Sequence, residues 1–184
     1  WSLSRYLKQA GYFTASVGKW HLGAEEKANW SRVLECQAPD MPPTMKQLIR
    51  DRPKDRPFFF WIASIDPHRP YSSGTIESPH RPEEVEIPPY LPDHPLIRRD
   101  MASYYDEVSR FDQLVGTVKT ALINDGSWDD TLVIYLSDNG MPFPRAKTTL
   151  YDSGIRTPFL IKWSGVIQPG TKIEHLVSTV DLAP

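Results

Sequence analysis

Cysteine is nearly absent from this 184-residue chain: Cys36 stands alone. That excludes an intrachain disulfide and any multi-cysteine zinc site, and it leaves the redox compartment open. Long apolar runs are missing too. Nothing approaches the ~18 consecutive apolar residues of a membrane-spanning helix, so no membrane span is predicted. Charge of one sign is lacking as well. Lys+Arg 21 against Asp+Glu 23 gives a net charge of −2, without the basic excess that would point to nucleic acid as a partner. There are no internal repeats, no low-complexity tract and no clear domain boundary. There is no initiating Met, and a helix is predicted from Ser2 onward, so the chain reads as an internal piece of a longer protein.

What is present fits a globular α/β domain. Hydrophobic residues make up 40% and charged residues 24%, enough to bury a core in a chain of ordinary domain length. Proline is abundant: 18 residues, about twice the average usage of roughly 5%. Leu3, Tyr6, Leu7 and Ala10 fall at helical spacing before Gly11, which predicts a helix over 2–10. Tyr12 to Val17 predicts a strand, and 24–43 a loop. Thr44 is placed as the cap of a short helix ending near Asp51. Phe58 to Ile65 and Leu132 to Leu136 are continuous apolar runs, predicted as strands buried on both faces. Residues 72–100 carry many prolines and no stripe. Asp100 is expected to cap a long helix with the apolar stripe Met101, Tyr104, Tyr105, Val108, Phe111, Val115, Val118 and Leu122, ending at Asn124-Asp125-Gly126. Pro158 to Trp163 and Ile173 to Ser178 are read as two more strands. Alternating helices and strands predict a mixed, largely parallel sheet flanked by helices.

Three strands end in polar clusters. Gly18-Lys19-Trp20-His21-Leu22-Gly23 follows the first, and alternation points Lys19 and His21 one way and Trp20 and Leu22 the other. Asp66-Pro67-His68-Arg69-Pro70 follows the second, where the prolines stiffen the loop around His68 and Arg69. Ser137-Asp138-Asn139-Gly140 follows the third, with Lys147 nine residues after Asp138. Each has an ordinary reading: an exposed Lys with a satisfied His, a rigid turn, and a simple Asx turn. If the three strands are neighbours pointing the same way, the clusters meet at one sheet edge, where α/β proteins bind ligands. Asp and Asn oxygens suit a hard divalent cation, and Lys, His and Arg suit a sulfate or phosphate. A Ca²⁺ ion takes roughly six to eight oxygens, so Asp138 and Asn139 cannot hold one alone.

The run from Tyr6-Leu7-Lys8-Gln9-Ala10-Gly11-Tyr12 through Gly18-Lys19-Trp20-His21-Leu22-Gly23 resembles a signature of the type I sulfatases, in the alkaline phosphatase superfamily. Asp66-Pro67-His68-Arg69-Pro70, Tyr104-Tyr105-Asp106-Glu107, Ser137-Asp138-Asn139-Gly140, Gly154-Ile155-Arg156-Thr157-Pro158 and Val180-Asp181-Leu182-Ala183-Pro184 follow in that family's order. Ser-Asp-Asn-Gly-Met-Pro-Phe-Pro with Lys147 resembles the branch that contains heparan N-sulfatase. The resemblance implies an alkaline phosphatase-like core, incomplete at both ends, whose parent cleaves a sulfate ester or sulfamate on a sulfated sugar. It implies that Asp138 and Asn139 belong to a Ca²⁺ site, with Mg²⁺ the alternative ion. Lys19 and His21 would contact the nucleophile and sulfate oxygens, His68 would lie near the leaving atom, and Lys147 and Arg69 would meet the substrate's charge. On family grounds the parent is secreted, periplasmic or lysosomal.

The family's nucleophile is a hydrated formylglycine made from Cys or Ser in a Cys/Ser-x-Pro-x-Arg motif, and here the chain departs from the pattern. Cys36 is followed by Gln37-Ala38-Pro39-Asp40, with proline one place late and no arginine after it. No serine satisfies the motif, and the paired acidic metal ligands of the family's N-terminal region have no counterpart. The expectation is therefore a partial catalytic domain, inactive by itself. A phosphate or phosphonate ester hydrolase of the same superfamily and a non-catalytic module that binds sulfated glycan are the alternatives.

Overall fold

The computed structural model describes residues 2–72 and 76–182. Helix α1 (Leu3–Gln9) is followed by Gly11 at φ +91°, which turns the chain into strand β1 (Phe13–Gly18). Every β1 residue is buried. It is the middle strand of a three-stranded parallel sheet of order β2-β1-β3, in which β2 is Arg32–Leu34 and β3 is Phe58–Ala63. The register pairs Phe13 with Phe58 and Gly18 with Ala63, so β1 and β3 end level and their exit loops start side by side.

The stretch 24–43 is not the loop that its sequence suggests. Glu25–Asn29 and Ala38–Asp40 form 3₁₀ turns, and β2 lies between them. Three residues are too few to show a period, and pairing with β1 makes the strand. Helix α2 (Met41–Asp51) also begins earlier than predicted. Pro42 and Pro43 sit in its first turn, where a missing N–H leaves nothing unpaired, and Thr44 is inside the helix with its Oγ1 donating to the Asp40 carbonyl at 2.7 Å. Met41, Met45, Leu48 and Ile49 pack on Phe13, Ala15 and Val17, forming the main core.

The long helix α3 (Pro95–Asn124) starts before the predicted position as well. Pro95 occupies the first turn, and the cap is His94, whose Nδ1 accepts the Leu96 N–H at 3.2 Å. Asp100 lies within the helix and pairs with Arg69. The end matches the prediction, with Gly126 at φ +74° just beyond it. Leu114 and Leu122 enter the main core, while Met101 and Ala102 join Val85, Leu91 and Phe143 in a second cluster. No helix among the described residues is long and apolar enough to cross a membrane.

Strands β4 (Val133–Leu136) and β5 (Phe159–Lys162) form a separate antiparallel pair. Among the described residues β4 is not in one sheet with β1 and β3, so the predicted single edge is not formed by strand pairing. Helix α3 joins the two sheets instead: Phe111 stacks on Tyr135 with ring centroids 5.4 Å apart. Neither β3 nor β4 is buried on both faces, since Trp61 is 47% and Ile134 38% exposed. An apolar run records a capacity for burial, and burial itself requires a covering layer. Ile173 to Ser178 is exposed and forms no strand, and only a 3₁₀ turn, Thr179–Leu182, follows it. Ala183 and Pro184, the end of one family-like motif, lie outside the described residues.

Candidate active site at the strand ends

The exits of β1 and β3 are tied by a main-chain bond. Gly18 has φ +94°, and a Cβ there would collide with the Ala63 carbonyl oxygen and lie 2.8 Å from the Met41 methyl. Only glycine fits this approach. The ladder then extends one step, with the Lys19 N–H donating to the Ala63 carbonyl at 2.8 Å. Trp20 turns inward, its Nε1 donating to the Gly23 carbonyl at 2.7 Å and its ring set edge-on to Trp30. Lys19 is half-buried and His21 exposed, in keeping with their shared polar side, but Leu22 is 51% exposed rather than packed.

The loop after β3 is held from α3 by charged side chains. It carries cis peptide bonds at Asp66-Pro67 and Arg69-Pro70. Asp66, 7% exposed, takes two bonds from Arg110, from Nε at 2.5 Å and Nη2 at 2.6 Å. These bonds raise the Arg110 guanidinium above its ordinary pKa, with burial working against them. Glu107, 2% exposed, accepts the His68 N–H at 3.0 Å and the Ser72 N–H at 3.1 Å. Next to it Asp106 accepts both the His80 N–H and its ring Nδ1, each at 2.8 Å. The exposed His68 places Nδ1 2.6 Å from the Arg69 carbonyl. A carbonyl only accepts, so Nδ1 carries the hydrogen and Nε2 is the free ring nitrogen.

Arg69 is engaged inside the chain. Its Nη1 donates to Asp100 at 2.8 Å, Nη2 meets the other Asp100 oxygen, and Nε donates to the Pro142 carbonyl at 3.2 Å. The guanidinium lies 4.6 Å from the Tyr71 ring centre and 5.0 Å from that of Phe143. The Asp100 hydrogen bonds hold its pKa above the ordinary value. Burial pushes the Tyr71 hydroxyl upward as well. Through Arg69 the loop bearing His68 is fastened to the loop after β4. The three clusters thus form one connected series, although β4 belongs to a different sheet.

The loop after β4 is held by its own backbone. Gly140 N–H donates to the Gly154 carbonyl at 2.9 Å, and Lys147 N–H to the Met141 carbonyl at 3.1 Å. Gly154 lies in the short helix α4 (Asp152–Ile155). Arg145 and Thr148 take φ of 63° and 69°, on either side of Lys147. Asp138 is exposed and Asn139 partly buried. Asn139 Nδ2 donates to the Gly140 carbonyl at 2.8 Å, which leaves its amide oxygen as the acceptor.

These donors are of the right kind for Ca²⁺ but too few. A carboxylate and one amide oxygen fall well short of roughly six to eight ligands. Among the described residues no three His, Cys, Asp or Glu side chains gather where they could hold an ion. The described residues alone therefore do not complete a calcium ligand set. Cys36, partly buried, packs against the β1–α2 core. The two best-formed depressions, about 430 and 460 Å³, are lined by none of Lys19, His21, His68, Asp138 or Lys147. The residues of α3 that hold the His68 loop, Asp100, Glu107 and Arg110, have no role in the predicted stripe. The signal was the pair of adjacent acids interrupting it.

A Sulfatase family model matches residues 24–184. N-sulphoglucosamine sulphohydrolase of Homo sapiens is 35% identical over an alignment of 217 residues, covering 100% of this chain and 43% of that protein. An ulvan-active sulfatase of Formosa agariphila is 40% identical over 101 residues, 55% of this chain and 17% of that protein. In fold, the chain resembles crystalline Ps i-CgsB in complex with k-i-k-neocarrahexaose, with TM-score 0.74 and 21% identity over 97% of this chain and 51% of the other. The chain spans less than half the length of the curated relatives it matches.

Proposed function

The chain belongs to the sulfatase family, and on that premise we propose that the whole protein hydrolyses the sulfate ester or sulfamate of a carbohydrate. The observation that supports this most directly is the connected series of loops. Lys19 is bonded to the end of β3 and Arg69 to the loop after β4, which links Lys19 and His21, His68, and Asp138 to Lys147. In this reading Lys19, His21 and Lys147 meet sulfate oxygens, where the N–H donors and the positive charge of the two lysines offset the charge carried by the departing group. His68, with Nδ1–H held by the Arg69 carbonyl, has Nε2 free to take up a proton from water. It delivers that proton to the leaving oxygen or nitrogen as the S–O or S–N bond breaks, while the water whose oxygen ends on the sulfate gives up its protons, one returning to Nε2 and one to solvent.

Asp138 and Asn139 would be part of a cation's ligand set, completed from elsewhere in the whole protein, as would the formylglycine nucleophile that the resemblance implies. A relative named for N-sulphoglucosamine and others named for ulvan support a carbohydrate sulfate as the substrate. The test is turnover by the whole protein of N-sulfoglucosamine, and of 4-nitrophenyl sulfate against 4-nitrophenyl phosphate. Sulfate turnover should exceed phosphate turnover, and Asp138→Ala should abolish Ca²⁺-dependent activity. The 184-residue chain alone should be inactive. Faster phosphate hydrolysis would move the reading to a phosphate or phosphonate ester hydrolase, and full activity of Asp138→Ala would remove the cation assignment.

A further inference from the structure

Glu107 is one of the least exposed side chains among the described residues, and it is a carboxylate on the buried side of α3, beside Asp106 and one turn before Arg110. A buried carboxylate is costly unless its oxygens are hydrogen-bonded, and here both are. One accepts the His68 N–H, and the other accepts the Ser72 N–H and lies 3.4 Å from Arg110. Arg110 in turn grips Asp66, two residues before His68. The backbone on both sides of the imidazole is therefore pinned to a single helical turn. We infer that Glu107 is a positioning residue for His68, holding its backbone so that Nε2 presents its proton to the leaving atom. This rests on the reading that His68 protonates the leaving group.

The chemistry supplies a selective test. An alcohol or amine of a sugar is a poor leaving group and needs the proton, whereas 4-nitrophenolate leaves without one. In Glu107→Gln the amide has one acceptor oxygen. Arg110 draws that oxygen to its own side, so the NH₂ faces the His68 N–H, donor against donor. In the whole protein, assayed per folded molecule well below the unfolding midpoint, Glu107→Gln should lower kcat for the sugar sulfate about 10- to 100-fold, with 4-nitrophenyl sulfate changed by less than about 3-fold and KM little moved. Asp106→Asn, which disturbs the neighbouring bond to His80, serves as the control and should show no such selectivity. Equal losses on both substrates, or none, in Glu107→Gln would overturn the inference. If Glu107→Gln does not accumulate, Arg110→Lys carries the same comparison, because it removes the planar grip on Asp66 and Glu107 while keeping the charge. His68→Ala separates the two levels of the argument. Without selective loss in His68→Ala, the role given to His68 fails. With selective loss there and none in Glu107→Gln, only the positioning role fails.

Discussion

The loop after β3 and the loop after β4 both begin at the end of a strand and both carry residues assigned to the site, yet they are held by different forces. The first is held from α3 by buried charge: Arg110 on Asp66, Glu107 on two backbone N–H groups, and Asp100 on Arg69. The second is held by backbone against backbone, through Gly140 on Gly154 and Lys147 on Met141. One loop should therefore be sensitive to loss of charge and the other to added volume.

The largest effect is expected where volume meets backbone. In Gly140→Ala the new methyl would collide with the Ser153 carbonyl and lie 2.9 Å from the Gly154 Cα, so one strand of the loop must move. We expect a loss on the order of 4 kcal/mol and faster amide exchange across 137–155, with a smaller change in the His68 loop, which meets this one through Arg69. An unchanged unfolding midpoint would show that this loop is not volume-limited. Next comes charge. Arg110→Met leaves Asp66 buried without its partner and should cost about 3 kcal/mol in urea unfolding, largely restored in the Asp66→Asn/Arg110→Met double variant. Additive single effects would mean that the pair is not coupled. The smallest effect is at the joint between the loops. The Arg69 and Asp100 side chains are 43% and 35% exposed, so solvent screens their attraction. Arg69→Ala and Asp100→Ala should each cost about 1 kcal/mol or less, with the same small change in KM. A much higher KM in Arg69→Ala alone would return Arg69 to substrate binding.

Much of the fold is legible in residue order. The runs at β1, β3 and β4 and the stop at Gly126 follow from local chemistry, whereas the alternation around Trp20 holds only in part, since Leu22 is exposed. What was not legible depends on neighbours. β2 is made by pairing with β1, α2 starts inside its prolines, and β4 pairs with β5 rather than joining the first sheet. The same division applies to the site. Lys19, His21, His68, Asp138, Asn139 and Lys147 stand out because polar residues at strand ends have few structural reasons to be there. Glu107 is signalled by the adjacent acids that interrupt the apolar stripe, but Arg110 does not stand out, because one base on a long helix resembles its solvated side. Arg69 stood out for its charge, but its charge is neutralised within the chain.

Helix α3 fixes phase as well as position. At about 1.5 Å and 100° per residue, its thirty residues form a rod roughly 45 Å long. Glu107, which grips the His68 loop, lies about one turn before Phe111, which meets β4, and about two turns before Leu114, which enters the main core. Inserting one residue between Glu107 and Phe111 would rotate one half of this rod by about 100° against the other, so that both sets of contacts could no longer be made together. Within the helix the count of residues is itself a constraint.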